Sequence, residues 1–253
     1  MIKYRIAVIV ALLLIAVSSS SAQTKWKRVS SFQLDWDGHR DVQAVLEIPS
    51  AWSDPGDFTR IRIRVEGQKE FVLKNDKGWV KASSEEAALS PVLKKTNALH
   101  SEYLLALRID EHRILLFLIG YPYASSPGSL DVLEMSNDGQ ARVILHRDEL
   151  GLREVRDLDG DGIAEVVGYP CLSQEWGNGL LTYDPFNVYK LGALPDASAV
   201  LSLPLSKAYN LKHYYGWAGA KCSEEFAVVM HPPKGGKPIV MKAKDAEKLT
   251  GGK

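Results

Sequence analysis

Acidic side chains recur at short intervals over Asp157–Glu165, which reads Asp-Leu-Asp-Gly-Asp-Gly-Ile-Ala-Glu. Three carboxylates on alternate positions can point toward one centre, and Gly160 and Gly162 permit the tight turn that this convergence needs. Ca²⁺ is a hard cation that binds about six to eight oxygen atoms. The spacing therefore predicts a calcium loop whose ligands are the carboxylates of Asp157, Asp159, Asp161 and Glu165 and the backbone carbonyl of Ile163. A solvated acidic turn is the alternative interpretation, because Asp and Gly are common turn residues.

The residues after the loop separate this motif from an EF-hand. An EF-hand requires Glu at position 12 and a helix on each side, but position 12 here is Gly168 and residues 165–170 predict a short β-strand. The loop resembles the FG-GAP, or VCBS, repeat of the integrin-alpha type, whose pattern is Asp-x-Asp-Gly-Asp-Gly-x-x-Asp/Glu before a short apolar strand. The resemblance implies a structural Ca²⁺ between two strands of a β-propeller blade.

The chain around the loop predicts a β-rich unit. Strands are expected over 142–145, 152–155 and 164–167, in the layout of much of one blade, and 35–41 is a degenerate second copy with His39 at position 5. The complete motif occurs once, whereas propellers of this family usually carry several copies. We therefore predict a mainly β fold of antiparallel sheets, propeller-like or a partial propeller.

Alternation of apolar and polar residues predicts most of the other elements. A hairpin is expected from residues 70–73 and 79–81 across the turn 75–78, and a last hairpin from 226–230 and 238–241. Short helices are expected within 83–99, over 206–215 with Ser206 as its N-cap and Gly216 as its stop, and over 245–249.

The N-terminus predicts a secretory signal peptide over residues 1–22. Lys3 and Arg5 precede an apolar run from Ile6 to Val17, and Ser20 and Ala22 provide small residues for cleavage. An uncleaved anchor is the alternative, although the run is shorter than the about 20 residues that span a bilayer. The predicted mature chain, 23–253, is a single mainly β domain, secreted or periplasmic, with no membrane span after cleavage.

The charge of the predicted mature chain argues against a nucleic-acid partner. Removal of Lys3 and Arg5 lowers the basic residues from 31 to 29, against 31 acidic residues. The result is a net charge of about −2 without a basic field, which is unlike a nucleic-acid-binding surface.

Two cysteines, Cys171 and Cys222, allow three interpretations. In an oxidising compartment an even number favours one disulfide, worth about 3–4 kcal/mol for a loop of this length. Two buried free thiols are the second possibility, and a nucleophilic cysteine assisted by His213 is the third.

No motif predicts an enzyme. The six histidines lack the spacing of a zinc site, and the chain has neither a Gly-x-Ser-x-Gly elbow nor a phosphate-binding glycine loop. The expected function is a binding or scaffolding module with an unknown protein or carbohydrate ligand. An exported hydrolase of polysaccharide or peptide and an accessory subunit of an envelope assembly are the alternatives. The aromatic residues of 209–217 are either a ligand surface or the packing face of a helix: Tyr209, His213, Tyr214, Tyr215 and Trp217.

Overall fold

The computed structural model describes residues 24–34, 42–82, 102–124, 126–136, 139–192 and 198–251. The strands are β1 (Trp26–Leu34), β2 (Val42–Pro49), β3 (Phe58–Val65), β4 (Phe71–Val80), β5 (Leu105–Arg108), β6 (Arg113–Gly120), β7 (Leu130–Ser136), β8 (Ala141–Arg147), β9 (Gly151–Arg156), β10 (Glu165–Tyr169), β11 (Glu175–Gly177), β12 (Leu180–Tyr183), β13 (Asn187–Lys190), β14 (Val200–Leu201), β15 (Ser223–Val229) and β16 (Ile239–Lys242). The helices are α1 (Leu203–His213) and α2 (Ala243–Thr250). The mainly β prediction is confirmed.

The strands form three antiparallel sheets. An eight-stranded sheet has the order β1-β2-β3-β4-β6-β7-β8, with β5 also paired to β6. The second sheet has the order β14-β13-β10-β9, and the third has the order β11-β12-β15-β16. The two smaller sheets each have four antiparallel strands, and β8 belongs to the large sheet. The expectation that β8, β9 and β10 form one blade is therefore wrong, and β13 and β14 complete that sheet instead.

Strand β6 lies between two hydrophobic cores. Ile114, Leu116 and Leu118 pack with the inward side chains of β2 and β3. The alternate residues on the opposite face of β6, among them Phe117, pack with β9, β10 and β13. Burial of both faces explains why this strand is an uninterrupted apolar run rather than an alternating one.

The predicted hairpin over residues 70–81 is wrong, because both halves belong to the single strand β4. Residues Phe71 and Lys74 pair with β3, and Trp79 then pairs with Phe58 after a register shift. The intervening residues form a local turn in which the amide of Lys77 donates to Asn75 Oδ1 at 2.8 Å. The turn residues therefore interrupt the pairing of one strand instead of reversing the chain.

The prediction that Ser206 caps a helix is also wrong. Helix α1 begins earlier, and Ser202 is its N-cap, with its side chain accepting from the amide of Leu205. Ser206 is buried one turn inside the helix, where its hydroxyl accepts from the amide of Val188 at 2.9 Å. The helix ends at His213, before Gly216. The C-terminal helix and the last hairpin are confirmed as α2 and as β15 with β16.

Three predictions concern residues outside the described part of the chain. These are the signal peptide over 1–22, the degenerate loop over 35–41 and the helix within 83–99.

Candidate metal centre

The acidic loop connects β9 to β10, which are neighbouring antiparallel strands of the second sheet. Asp157 organises the turn, because its two carboxylate oxygens accept from the amides of Gly160 at 2.7 Å and Gly162 at 3.0 Å. Both glycines have a positive φ, 80° and 85°, which a residue with a side chain would adopt only with strain. The Asp-Gly spacing thus folds the chain around its own first carboxylate.

Asp159 and Asp161 each use one oxygen within the loop. Asp159 Oδ1 accepts from the amide of Asp161 at 3.3 Å, and Asp161 Oδ1 accepts from the amide of Ile163 at 2.9 Å. The side chain of Ile163 packs against the core that the loop shares with the large sheet. Leu158 packs on the other side, against Val167 and Val188. These two apolar side chains fix the acidic segment to the protein interior.

Glu165 is the first residue of β10 and its side chain is completely buried. Its Oε2 accepts from the amide of Leu158 at 2.7 Å. Among the described residues, no group donates a hydrogen bond to its Oε1. Burial raises the pKa of this carboxyl, and the nearby negative charges of Asp159 and Asp161 raise it further. A buried carboxylate oxygen without a donor is costly unless a cation or a proton reaches it.

Lys190 brings one positive charge to the loop. It lies on β13 directly opposite Glu165 in the strand register. Its Nζ is 2.8 Å from Asp159 Oδ2, 2.7 Å from Asp161 Oδ2 and 4.0 Å from Glu165 Oε1. These contacts raise the pKa of Lys190, and its ammonium lowers the pKa of Asp161. Lys190 was not among the residues predicted from sequence.

The structure brings most of the predicted ligands together. Asp157, Asp159 and Glu165 each offer an oxygen within 4.8 Å of the others, and Asp161 joins them through Lys190. The side-chain donors are all carboxylate oxygens, which suit a hard cation such as Ca²⁺ rather than a soft metal. The four carboxylates carry more negative charge than the single ammonium of Lys190 neutralises. The net charge of the site is therefore negative, which fits a divalent cation.

The two cysteines form the disulfide Cys171–Cys222, which confirms the first of the three interpretations. A carboxylate oxygen of Asp184 lies 3.2 Å from the Cys171 sulfur. While the two sulfurs are bonded to each other, neither Cys171 nor Cys222 has a free thiolate that could bind a metal or act as a nucleophile. His213 packs instead against Phe186 and Tyr209, with ring centroids 5.2 and 5.0 Å away.

The aromatic residues of α1 mainly serve packing. Tyr209, His213 and Tyr214 surround the ring of Phe186, with centroid distances of 5.4, 5.2 and 6.1 Å. Asn210 fixes the backbone of Phe186 by accepting from its amide at 3.0 Å and donating to its carbonyl at 2.7 Å. Tyr215, by contrast, is 53 % exposed, and Trp217 is half-buried. Three of the five aromatic residues therefore belong to the interior side of the helix.

Comparison of the chain with protein-family models, curated proteins and solved structures found no match. Among the residues that the structure describes, no helix combines the length and the apolar character needed to cross a membrane.

Proposed function

We propose that this protein is an exported, calcium-binding β protein that acts as a binding or scaffolding module and uses Ca²⁺ as a structural ion. The observation that carries the proposal is the buried Oε1 of Glu165, which has no donor in the described part of the chain. An oxygen of the same carboxylate lies within 4.8 Å of carboxylate oxygens of Asp157 and Asp159. A carboxylate in that situation needs a counter-ion, and Lys190 remains 4.0 Å away.

The ion would be held by the acidic loop and the first residue of β10. Asp157, Asp159, Asp161 and Glu165 would supply carboxylate oxygens, and Ile163 its backbone carbonyl. Bound Ca²⁺ would supply the positive charge that the buried carboxylate lacks. The loop residues would fix the start of β10 against β9 and β13, so binding free energy would add to the stability of the second sheet.

Export is proposed from the leader-like residues 1–22 and draws support from the disulfide, which is typical of oxidising compartments. Extracytoplasmic Ca²⁺ is also abundant enough for sites of modest affinity.

A binding role draws support from a cavity of about 520 Å³ beside β4 and β7. Tyr121 and Tyr123 line it and are 40 % and 72 % exposed, and Asp76 and Asp148 are also among its lining residues. Exposed tyrosine rings in a cavity that also contains acidic residues suit a carbohydrate or a polar segment of another protein, because the ring offers an apolar face and the hydroxyl a polar tip.

Thermal unfolding tests the calcium site. We expect Ca²⁺ at about 100 times its Kd to stabilise the protein by about 2.7 kcal/mol, which corresponds to a rise in Tm of about 5–10 °C over the sample in EDTA. Asp159→Ala in Ca²⁺ should melt like the wild type in EDTA. Asp245→Ala, on the exposed side of α2, is the matched control and should keep the full response. Coincident melts of the wild type with Ca²⁺ and with EDTA would contradict the proposal.

Lys190 should weaken the affinity for Ca²⁺, because its ammonium already contacts Asp159 and Asp161. We expect Lys190→Met to lower the Kd for Ca²⁺ about tenfold, the effect of removing one nearby positive charge. The same variant should be less stable than the wild type in EDTA, since Lys190 is the one cation within 4 Å of these carboxylates among the described residues. Titration calorimetry measures the affinity, with the exposed Lys207→Met on α1 as the control. An unchanged Kd in Lys190→Met would mean that the ammonium does not compete with the ion.

A further inference from the structure

The disulfide connects the second and third sheets at an accessible position. Cys171 follows β10 and is half-buried, whereas Cys222 directly precedes β15 and is exposed. A cavity of about 350 Å³ opens next to both cysteines, with Gln174 and Thr182 among its lining residues. A small molecule that enters this cavity therefore meets Cys222, the more exposed of the two cysteines, whereas Asp184 lies against the half-buried Cys171.

Asp184 is placed against the less exposed sulfur. Its Oδ1 lies 3.2 Å from Cys171 Sγ, and its Oδ2 accepts from the hydroxyl of Ser173 at 3.4 Å. A disulfide sulfur carries no proton. A hydrogen bond between Asp184 Oδ1 and Cys171 Sγ therefore exists only when the carboxyl group of Asp184 is protonated and donates to the sulfur. The contact therefore positions a proton donor at the sulfur that would leave if the disulfide were attacked at Cys222.

The surroundings of Asp184 keep that proton available near neutral pH. Burial raises the pKa of Asp184 to about 7, opposed by hydrogen bonds from Ser173 and the backbone of Cys171. Tyr183 and Tyr214 are the titratable neighbours on β12 and at the end of α1, and burial raises the pKa of each to about 12. Both are neutral when Asp184 titrates. Two further titratable residues, Glu149 and Glu224, line the cavity.

We propose that Cys171–Cys222 is a reactive disulfide that exchanges with small-molecule thiols, with Asp184 as the general acid for the leaving sulfur. The thiolate of the small molecule attacks Cys222 Sγ and forms a mixed disulfide with it, while the Cys171–Cys222 bond breaks. Cys171 Sγ leaves with the electron pair and takes the proton of Asp184, which becomes a carboxylate. In the reverse step, Asp184 removes the proton from Cys171 as it attacks the mixed disulfide. This activity is independent of the calcium site.

Exchange kinetics with 2-mercaptoethanol test the proposal on the intact protein. The reaction is stopped by alkylation, intact mass measures the mixed disulfide, and the rate constant is expressed per attacking thiolate. For the wild type we expect this constant to fall about tenfold or more as the pH rises through about 7, because Asp184 loses its proton there. A constant that does not change with pH would overturn the proposal.

Three variants assign the pH dependence to Asp184. Asp184→Asn, which keeps the shape of the side chain, should give a constant that is flat with pH. Ser173→Ala removes a hydrogen bond that favours the charged carboxylate, so the fall should move to higher pH. Glu224→Gln, on the wall of the same cavity, should keep the fall near pH 7. A wild-type pH profile in Asp184→Asn, or an unshifted profile in Ser173→Ala, would show that Asp184 does not act as the acid.

Discussion

Replacing both cysteines, as in Cys171→Ser with Cys222→Ser, should lower the free energy of unfolding by about 4 kcal/mol. The disulfide closes a loop with a sequence separation of 51, and the chain entropy that such a crosslink removes from the unfolded state corresponds to about this value. The loss is a large fraction of the stability of a typical domain, which is about 5–15 kcal/mol. Urea unfolding of the variant and the oxidised wild type measures the difference.

Reduced and alkylated wild type serves as a second measurement of the same loss, because it breaks the crosslink without changing the sequence. The m-value should rise in both samples, since an unfolded chain without the crosslink exposes more surface. A loss below about 1 kcal/mol would mean that the contacts between the second and third sheets already restrict the unfolded chain, or that the crosslink strains the folded one.

The acidic loop was predictable because its information is local. Asp157, Gly160 and Gly162 form a turn through hydrogen bonds that span at most five residues, so their spacing is sufficient to indicate it. Lys190 was not predictable from spacing. It reaches the loop because β13 pairs with β10 in a register that sets it opposite Glu165, and that register depends on the whole second sheet.

The errors in the predicted elements have separate physical causes. The turn residues 75–78 were assigned to a hairpin, because a local turn signal does not reveal that the same strand continues beyond it. The start of α1 could have been found from the sequence: Ser202 and Pro204 are residues typical of an N-cap and a first helical turn. Ser206 is buried because it contacts β13. Helix-capping preferences contain no information about such a tertiary contact.

The side of α1 that packs inward also depends on tertiary contacts. The aromatic residues of 209–217 fit equally well a ligand surface and a packing face, since both roles use the same side chains. Phe186, from the segment between β12 and β13, lies among Tyr209, His213 and Tyr214. These contacts show that the three side chains pack against the protein. The exposed Tyr121 and Tyr123 in the proposed binding cavity come from the loop after β6, which the aromatic pattern alone did not single out.

Glu165→Gln should have opposite effects on stability with and without Ca²⁺. The amide keeps an oxygen that can accept from Leu158, but it carries no charge. In EDTA we expect the variant to be about 1–2 kcal/mol more stable than the wild type, because it removes a buried carboxylate whose Oε1 has no donor in the described structure. In Ca²⁺ at about 1,000 times the wild-type Kd, where the ion stabilises the wild type by about 4.1 kcal/mol, a variant that no longer binds Ca²⁺ should be about 2–3 kcal/mol less stable than the wild type. Glu175→Gln, on the exposed strand β11, should change neither value.

The pH dependence of the free energy of unfolding of the wild type in EDTA tests whether the buried charge of Glu165 causes the difference. An effect of the amide group itself would not follow the titration of Glu165. Burial raises the pKa of Glu165 in the folded protein, so the folded state holds this proton more tightly than the unfolded chain does. The stability of calcium-free wild type should therefore decrease as the pH rises from the unfolded pKa through the folded one, and this contribution should be absent from Glu165→Gln. Urea unfolding across that interval measures both proteins. If the variant destabilises the protein to the same extent with Ca²⁺ and with EDTA, Glu165 stabilises β10 through its hydrogen bond to Leu158 and does not hold an ion.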